Sequence, residues 1–279
     1  MKLIVLSDNR KTNESLESEH GLCIYVETEH YKCLLDTGAS EVFIRNAEKS
    51  GVDLTDVDYV FISHGHSDHI GGLPAFLNLN KKAKIVLSKN AIQQGFFSER
   101  KGIHRINLTT DLSPYTDRLI YVESEIVFRN EIRVFSVRTT KYFLPKANGM
   151  LYKDSGNGRV LDDFNHELVV SFGINNLLVY TGCAHKGLLN ILNSVSLFPA
   201  KQIGYVIGGF HLVDSNPEQE FETRTEIDSL ALELKKKYPQ TYFITGHCTG
   251  ELVYRQMKER LGDQLSHFYT GYQMSVPDI

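Results

Sequence analysis

The stretch Ser63-His64-Gly65-His66-Ser67-Asp68-His69-Ile70-Gly71-Gly72 constrains this chain more than any other. Four potential metal ligands, His64, His66, Asp68 and His69, fall within six residues, directly after a hydrophobic run at 58–62. That run reads as a buried strand, so the chain must fold with the strand's carboxyl end presenting the cluster. On an extended loop His64 and His66, two residues apart, point at one ion. Asp68 and His69 then face a second ion on the return, and Gly71-Gly72 permits a tight turn afterwards. The bland alternative, a polar loop with surface histidines, leaves the order of strand then cluster without a reason.

Composition narrows the classes. Of 279 residues 42% are hydrophobic, enough for a full core, which excludes a disordered chain. Thirty Lys and Arg against 34 Asp and Glu give a net charge of −4, arguing against a broad basic face for nucleic acid. Cys23, Cys33, Cys183 and Cys248 are too few and too scattered for a disulfide framework. The opening apolar run at 3–6 is too short for a secretion signal, and no apolar stretch reaches the length of a membrane span. A cytoplasmic protein without membrane or nucleic-acid partners is expected.

Strands are expected at 3–6, 22–26, 31–35, 58–62 and 84–87, with a helix from Ser40 as N-cap to Gly51 and a short one at 73–79. Between 88 and 165 the signal weakens to strands at 119–122, 126–128 and 132–137, and a turn or mobile loop at 153–158. Further on, strands at 168–172, 177–180, 205–207 and 242–244 alternate with helices at 186–197, 218–237 and 250–261. This order predicts two sheets packed face to face with helices outside. One domain over 1–279, embellished at 88–165, is the reading.

The H-x-H-x-D-H cluster resembles the metallo-β-lactamase superfamily, and further matches follow in order along nearly the whole chain. Leu34-Leu35-Asp36-Thr37-Gly38 resembles the first motif, whose Asp supports the metal loop from behind. Tyr180-Thr181-Gly182-Cys183-Ala184-His185 stands where a strand delivers a further ligand, and Ile244-Thr245-Gly246-His247 resembles the last motif. Gly208-Gly209-Phe210-His211-Leu212 and His247-Cys248-Thr249-Gly250 are similar to the branch of the dihydropterin–ribofuranosylaminobenzene phosphate synthases. The resemblance implies an α+β, four-layer αββα sandwich and two divalent cations, zinc foremost, with iron or manganese as alternatives. It implies His64, His66 and His185 on one ion, Asp68, His69 and His247 on the other, and Asp36 orienting a histidine. The fourth motif usually carries an Asp that bridges the metals, and here the position is Cys183. Two readings of Cys183 stay open: a thiolate ligand, or a buried small residue beside His185. His211 is read as an acid/base group, with Asp68 the other candidate catalytic residue. His20, His30, His104, His166 and His267 are read as surface residues, and Cys23 and Cys33 as packing.

A small, phosphorylated anionic substrate is expected, met at the helix start by Thr249 and Gly250 and across the cleft by Lys141, Lys146 and Lys153. The enzyme readings are a metal-dependent hydrolase and, as the alternative, a pterin-condensing synthase. A non-catalytic metal sensor is a third reading. Asp36-Thr37-Gly38 alone suggests an aspartic protease, which would leave the histidines unexplained. Nothing in the sequence gives the oligomeric state.

Overall fold

The computed structural model describes residues 1–100, 102–138, 140–198 and 202–277. The chain opens with strands β1 (Lys2–Ser7), β2 (Cys23–Glu27) and β3 (Lys32–Leu35), then helix α1 (Val42–Lys49). Strand β4 (Tyr59–Phe61) leads into the short helices α2 (Ser67–Ile70) and α3 (Leu73–Leu79), β5 (Lys84–Leu87) and α4 (Asn90–Gln93). The middle holds β6 (Phe96–Ser98), β7 (His104–Arg105), β8 (Leu119–Tyr121), β9 (Glu125–Phe128), β10 (Ile132–Phe135), β11 (Leu151–Asp154) and β12 (Arg159–Leu161). Then come β13 (Val169–Phe172), β14 (Asn176–Thr181), α5 (Leu188–Val195), β15 (Gln202–Gly208) and α6 (Arg224–Lys237). The chain finishes with β16 (Tyr242–Thr245), α7 (Glu251–Leu261), β17 (Leu265–His267) and β18 (Gln273–Ser275).

Two mixed sheets form, in the orders β18-β1-β2-β3-β4-β5-β8 and β17-β16-β15-β14-β13-β10-β9. Side-chain alternation explains the layering. In β1, Leu3 and Val5 enter the core between the sheets, while Ile4 and Leu6 pack outward beneath α1 and α3. In β14, Leu178 and Tyr180 point inward, and Leu177 and Val179 meet α5, α6 and α7. Both faces of each sheet are covered, so these strands read as continuous apolar runs. The result is the expected four-layer αββα sandwich.

The strands that matter for the site, β3-β4 and β14-β15-β16, run parallel within their sheets. Their carboxyl ends open on one crevice, the usual place for a ligand in such sheets.

Several local expectations are corrected. The middle segment carries a third sheet, β12-β11-β6-β7, whose strands are too short and too polar to be recognised. Of the expected loop at 153–158, Lys153 and Asp154 belong to strand β11, and the rest turns into its hairpin partner, which starts at Arg159. Helix α6 begins at Arg224 instead of 218, because Thr223 and Glu226 form a reciprocal capping box. Helix α5 starts at Leu188, after Gly187 with φ of 81°. Gly71 and Gly72 are required by close approach: a side chain would strike the carbonyls of Ser67 and Ala39, or of Thr37 and Ser40.

Candidate metal centre

Each predicted ligand follows the carboxyl end of a strand. Strand β4 delivers His64 and His66, β14 delivers Cys183 and His185, β15 delivers His211, and β16 delivers His247. Seven described non-glycine residues have positive φ; five of them, Asp36, Phe164, Ala184, His211 and His247, surround this crevice. Such conformations cost of order 1–3 kcal/mol each and persist only where the surroundings impose them.

Hydrogen bonds settle how the rings face. The Ser63 hydroxyl donates its single proton to Asp36 Oδ2 (2.6 Å), so it accepts from His64 Nδ1 at 2.9 Å. His69 Nδ1 donates to the same Asp36 oxygen (2.6 Å). His185 and His247 are held by one device used twice. Asn148 accepts from His185 Nδ1 (3.0 Å) and donates to the His185 carbonyl (2.8 Å). Asn9 accepts from His247 Nδ1 (3.2 Å) and donates to the His247 carbonyl (3.0 Å). All four rings therefore turn Nε2 toward the crevice.

Those nitrogens fit a metal. His64 Nε2, His66 Nε2 and His185 Nε2 are buried without any hydrogen-bond partner, a costly state unless something binds there. His69 Nε2 and His247 Nε2 lie 3.0 Å apart, and Asp68 Oδ2 is 3.2 Å from His247 Nε2 and 3.7 Å from His69 Nε2. Tetrahedral ligands at about 2.0–2.1 Å from zinc stand roughly 3.3 Å from one another. Two imidazoles so close, each already donating through Nδ1, need a cation between them. Burial alone would lower His247, but the hydrogen bond to Asp68 and nearby negative charge carry it up to about 9. Burial, with neighbouring rings, pushes His64 and His185 well below the ordinary imidazole value, keeping them neutral as ligands must be.

Cys183, 3% exposed, joins the two halves. Its sulfur lies within 4.8 Å of donor atoms from His64 and His185, and equally of donors from His69 and His247. It approaches His69 Nε2 at 3.2 Å. Asp36 is fully enclosed and accepts from the Ser63 amide and hydroxyl, His69 Nδ1 and Tyr180 hydroxyl, all at 2.6–2.7 Å. A carboxylate so occupied cannot serve an aspartic protease.

The residues expected to meet an anion are engaged elsewhere or lie outside the crevice. The first free amides of α7, Leu252 and Val253, donate to the Asp214 carboxylate at 3.2 and 3.0 Å, so an anion already caps this helix. A side chain at Gly250 would collide with Asp214. Thr249 is buried, with its hydroxyl bonded to Thr245 and the Phe210 amide. Lys146 pairs with Glu226 and Lys153 with Asp163, while Lys141 lies by the Tyr142 ring, and none lines the crevice. The cations that do line it are Arg100 and Arg105, at the third sheet. Neither has a carboxylate partner among the described residues, and Arg100 Nε is buried without a hydrogen bond. The crevice, about 460 Å³, also contains His66, Asp68, Cys183, His185, His211 and Cys248.

Sequence reading missed several supports. His166, expected at the surface, is fully buried; its Nδ1 accepts from the Gly65 amide and its Nε2 donates to Asp162. Burial opposes the Asp162 charge, but the hydrogen bond from His166 and the nearby His66 ring outweigh it and hold the carboxyl far below its usual value. Glu167 accepts from the amides of His185 and Lys186, and burial raises it to about 7. His20, also read as a surface residue, is exposed but lines the crevice and stacks on His247. Asn9, Asn148 and Asp162 belong to no motif, and only folding brings them here.

Residues 18–140 match the metallo-beta-lactamase superfamily. A solved structure described as a metal-dependent hydrolase of the beta-lactamase superfamily is 28% identical, covers 99% of both chains and superposes with a TM-score of 0.81. In both comparisons the chain is similar to the metallo-β-lactamase superfamily. It is also 25% identical, over 93% of its length and 90% of the relative's, to the 7,8-dihydropterin-6-methyl-4-(beta-D-ribofuranosyl)-aminobenzene-5'-phosphate synthase of Methanocaldococcus jannaschii. Human tRNase Z, short form, shares the fold at 15% identity over 99% of this chain and 100% of that one (TM-score 0.53).

Proposed function

We propose that this protein is a metal-dependent hydrolase acting on a small, phosphorylated anion at a binuclear centre. His64, His66 and His185 would hold one divalent ion, Asp68, His69 and His247 the other, with Cys183 between them. The observation that carries the reading is the set of buried Nε2 atoms without partners, facing a crevice rimmed by two unpaired arginines. Held by these residues, two such ions would supply Lewis acidity that lowers the pKa of a water toward 7.

The chain's own groups do the rest. Arg100 and Arg105 receive the substrate's negative charge, and the planar guanidinium suits phosphate oxygens. His211, 4% exposed, moves the proton. Its Nε2 lies 3.4 Å from an Arg100 nitrogen, which repels a proton there, so the proton is carried at Nδ1, which has no partner. The lining side chains replace bulk water around the reacting group.

Zinc-, iron- and manganese-loaded protein should be assayed on phosphate mono- and diesters. Turnover that a chelator abolishes is expected, with His211→Ala losing about 10² to 10⁴-fold while keeping its metal. Full metal occupancy with no turnover of any phosphoester would reject hydrolysis. The archaeal synthase relative favours one second reading, in which the same centre joins a pterin to a second substrate. Condensation without net hydrolysis would select it, and metal binding with neither activity would leave a sensor.

A further inference from the structure

Cys248 has no place in the ligand set above, yet it lines the same crevice. We infer that Cys248 is a second thiolate ligand beside Cys183, so the centre selects thiophilic ions such as zinc, cobalt or cadmium over magnesium or manganese. The inference rests on the crevice being a metal centre.

The two sulfurs and a ring nitrogen of His211 all lie within 4.8 Å of one another. The His211 amide donates to Cys248 Sγ at 3.2 Å, an N–H placed to stabilise a sulfur that carries negative charge. Any side chain at Gly209 would collide with Cys248 Sγ, so the glycine keeps the sulfur's place open. His211 Nδ1 is itself buried and without a partner. Cys23 and Cys33 show what a packing cysteine looks like here: both are wholly enclosed in apolar strands. Cys248 instead reaches the crevice, where an entering ion can meet it. On ligation each thiol releases its proton to solvent, and a thiolate pair is a soft donor edge that hard, oxygen-seeking ions avoid.

Cobalt(II) tests this directly, because thiolate-to-cobalt charge transfer absorbs in the near ultraviolet. Protein stripped by chelation and reloaded with Co²⁺ should show that band. Cys248→Ser should remove about half of the band per bound cobalt, as should Cys183→Ser, and the double variant should lose all of it. Alkylation of Cys248 by iodoacetamide, in unaltered protein, should slow at least about tenfold when Zn²⁺ is added, since a ligated sulfur is shielded. An undiminished band in a folded Cys248→Ser protein, or equal alkylation with and without zinc, would overturn the assignment alone. Failure of the unaltered protein to bind cobalt at all would overturn the metal-centre reading as well.

Discussion

The Asp36 carboxylate accepts four hydrogen bonds, and the donors include His69 Nδ1 and the Ser63 hydroxyl that in turn orients His64. One side chain thus sets the direction of a ring in each half of the centre. Asp36→Asn cannot accept from all four donors. It should weaken zinc binding about 10–100-fold, measured by competition with a chromophoric chelator. Cys183 makes the complementary prediction, because its sulfur is near donors of both halves. Cys183→Ser should bind fewer zinc ions per chain by elemental analysis, whereas Cys183→Asp, restoring the superfamily's usual carboxylate, should keep two. Equal metal content in all three proteins would make the thiol a packing residue. The ligand types at this scale were legible because H-x-H-x-D-H is contiguous, whereas Asn9 and Asn148 carried no signal. An asparagine that clamps a histidine from 238 or 37 residues away looks like any turn residue until the strands meet.

Among the elements, α7 shows how a sound local rule can be met from inside the chain. A helix starting beside His247 has free amides that attract an anion, but Asp214, from the loop after β15, already supplies one. Asp214→Ala should cost about 1 kcal/mol, as loss of a helix cap does, and lower the melting temperature by roughly 2–4 °C. Phosphate should not restore it if the crevice rather than the helix start is the anion site. The third sheet is the other element that changes the reading, because β6 and β7 bring Arg100 and Arg105 to the crevice. Both strands are too short for periodicity to reveal, at three and two residues. The lysines that composition suggested lie outside the crevice, two of them tied to Glu226 and Asp163.

For the whole molecule, the crevice is a place where the fold has left polar atoms unsatisfied. His64 Nε2, His66 Nε2 and His185 Nε2 come from both sheets, so an ion bound there would tie the two halves of the sandwich together. Zinc at about 100 times its Kd should stabilise the chain by about 2.7 kcal/mol, a melting rise of roughly 5–10 °C that excess chelator reverses. Magnesium at the same concentration should leave the melting temperature unchanged, because imidazole and thiolate donors suit it poorly. The amino-acid sequence by itself determined the sandwich and the contiguous cluster of ligand-type residues. Apolar runs buried on both faces dictate covered sheets, and a strand followed by four ligand-type residues dictates a site at its end. Only the tertiary structure decided which nitrogen each ring presents, which cations rim the crevice and where Cys248 points. Those depend on hydrogen bonds and approaches between segments far apart in the chain, and no local pattern encodes them.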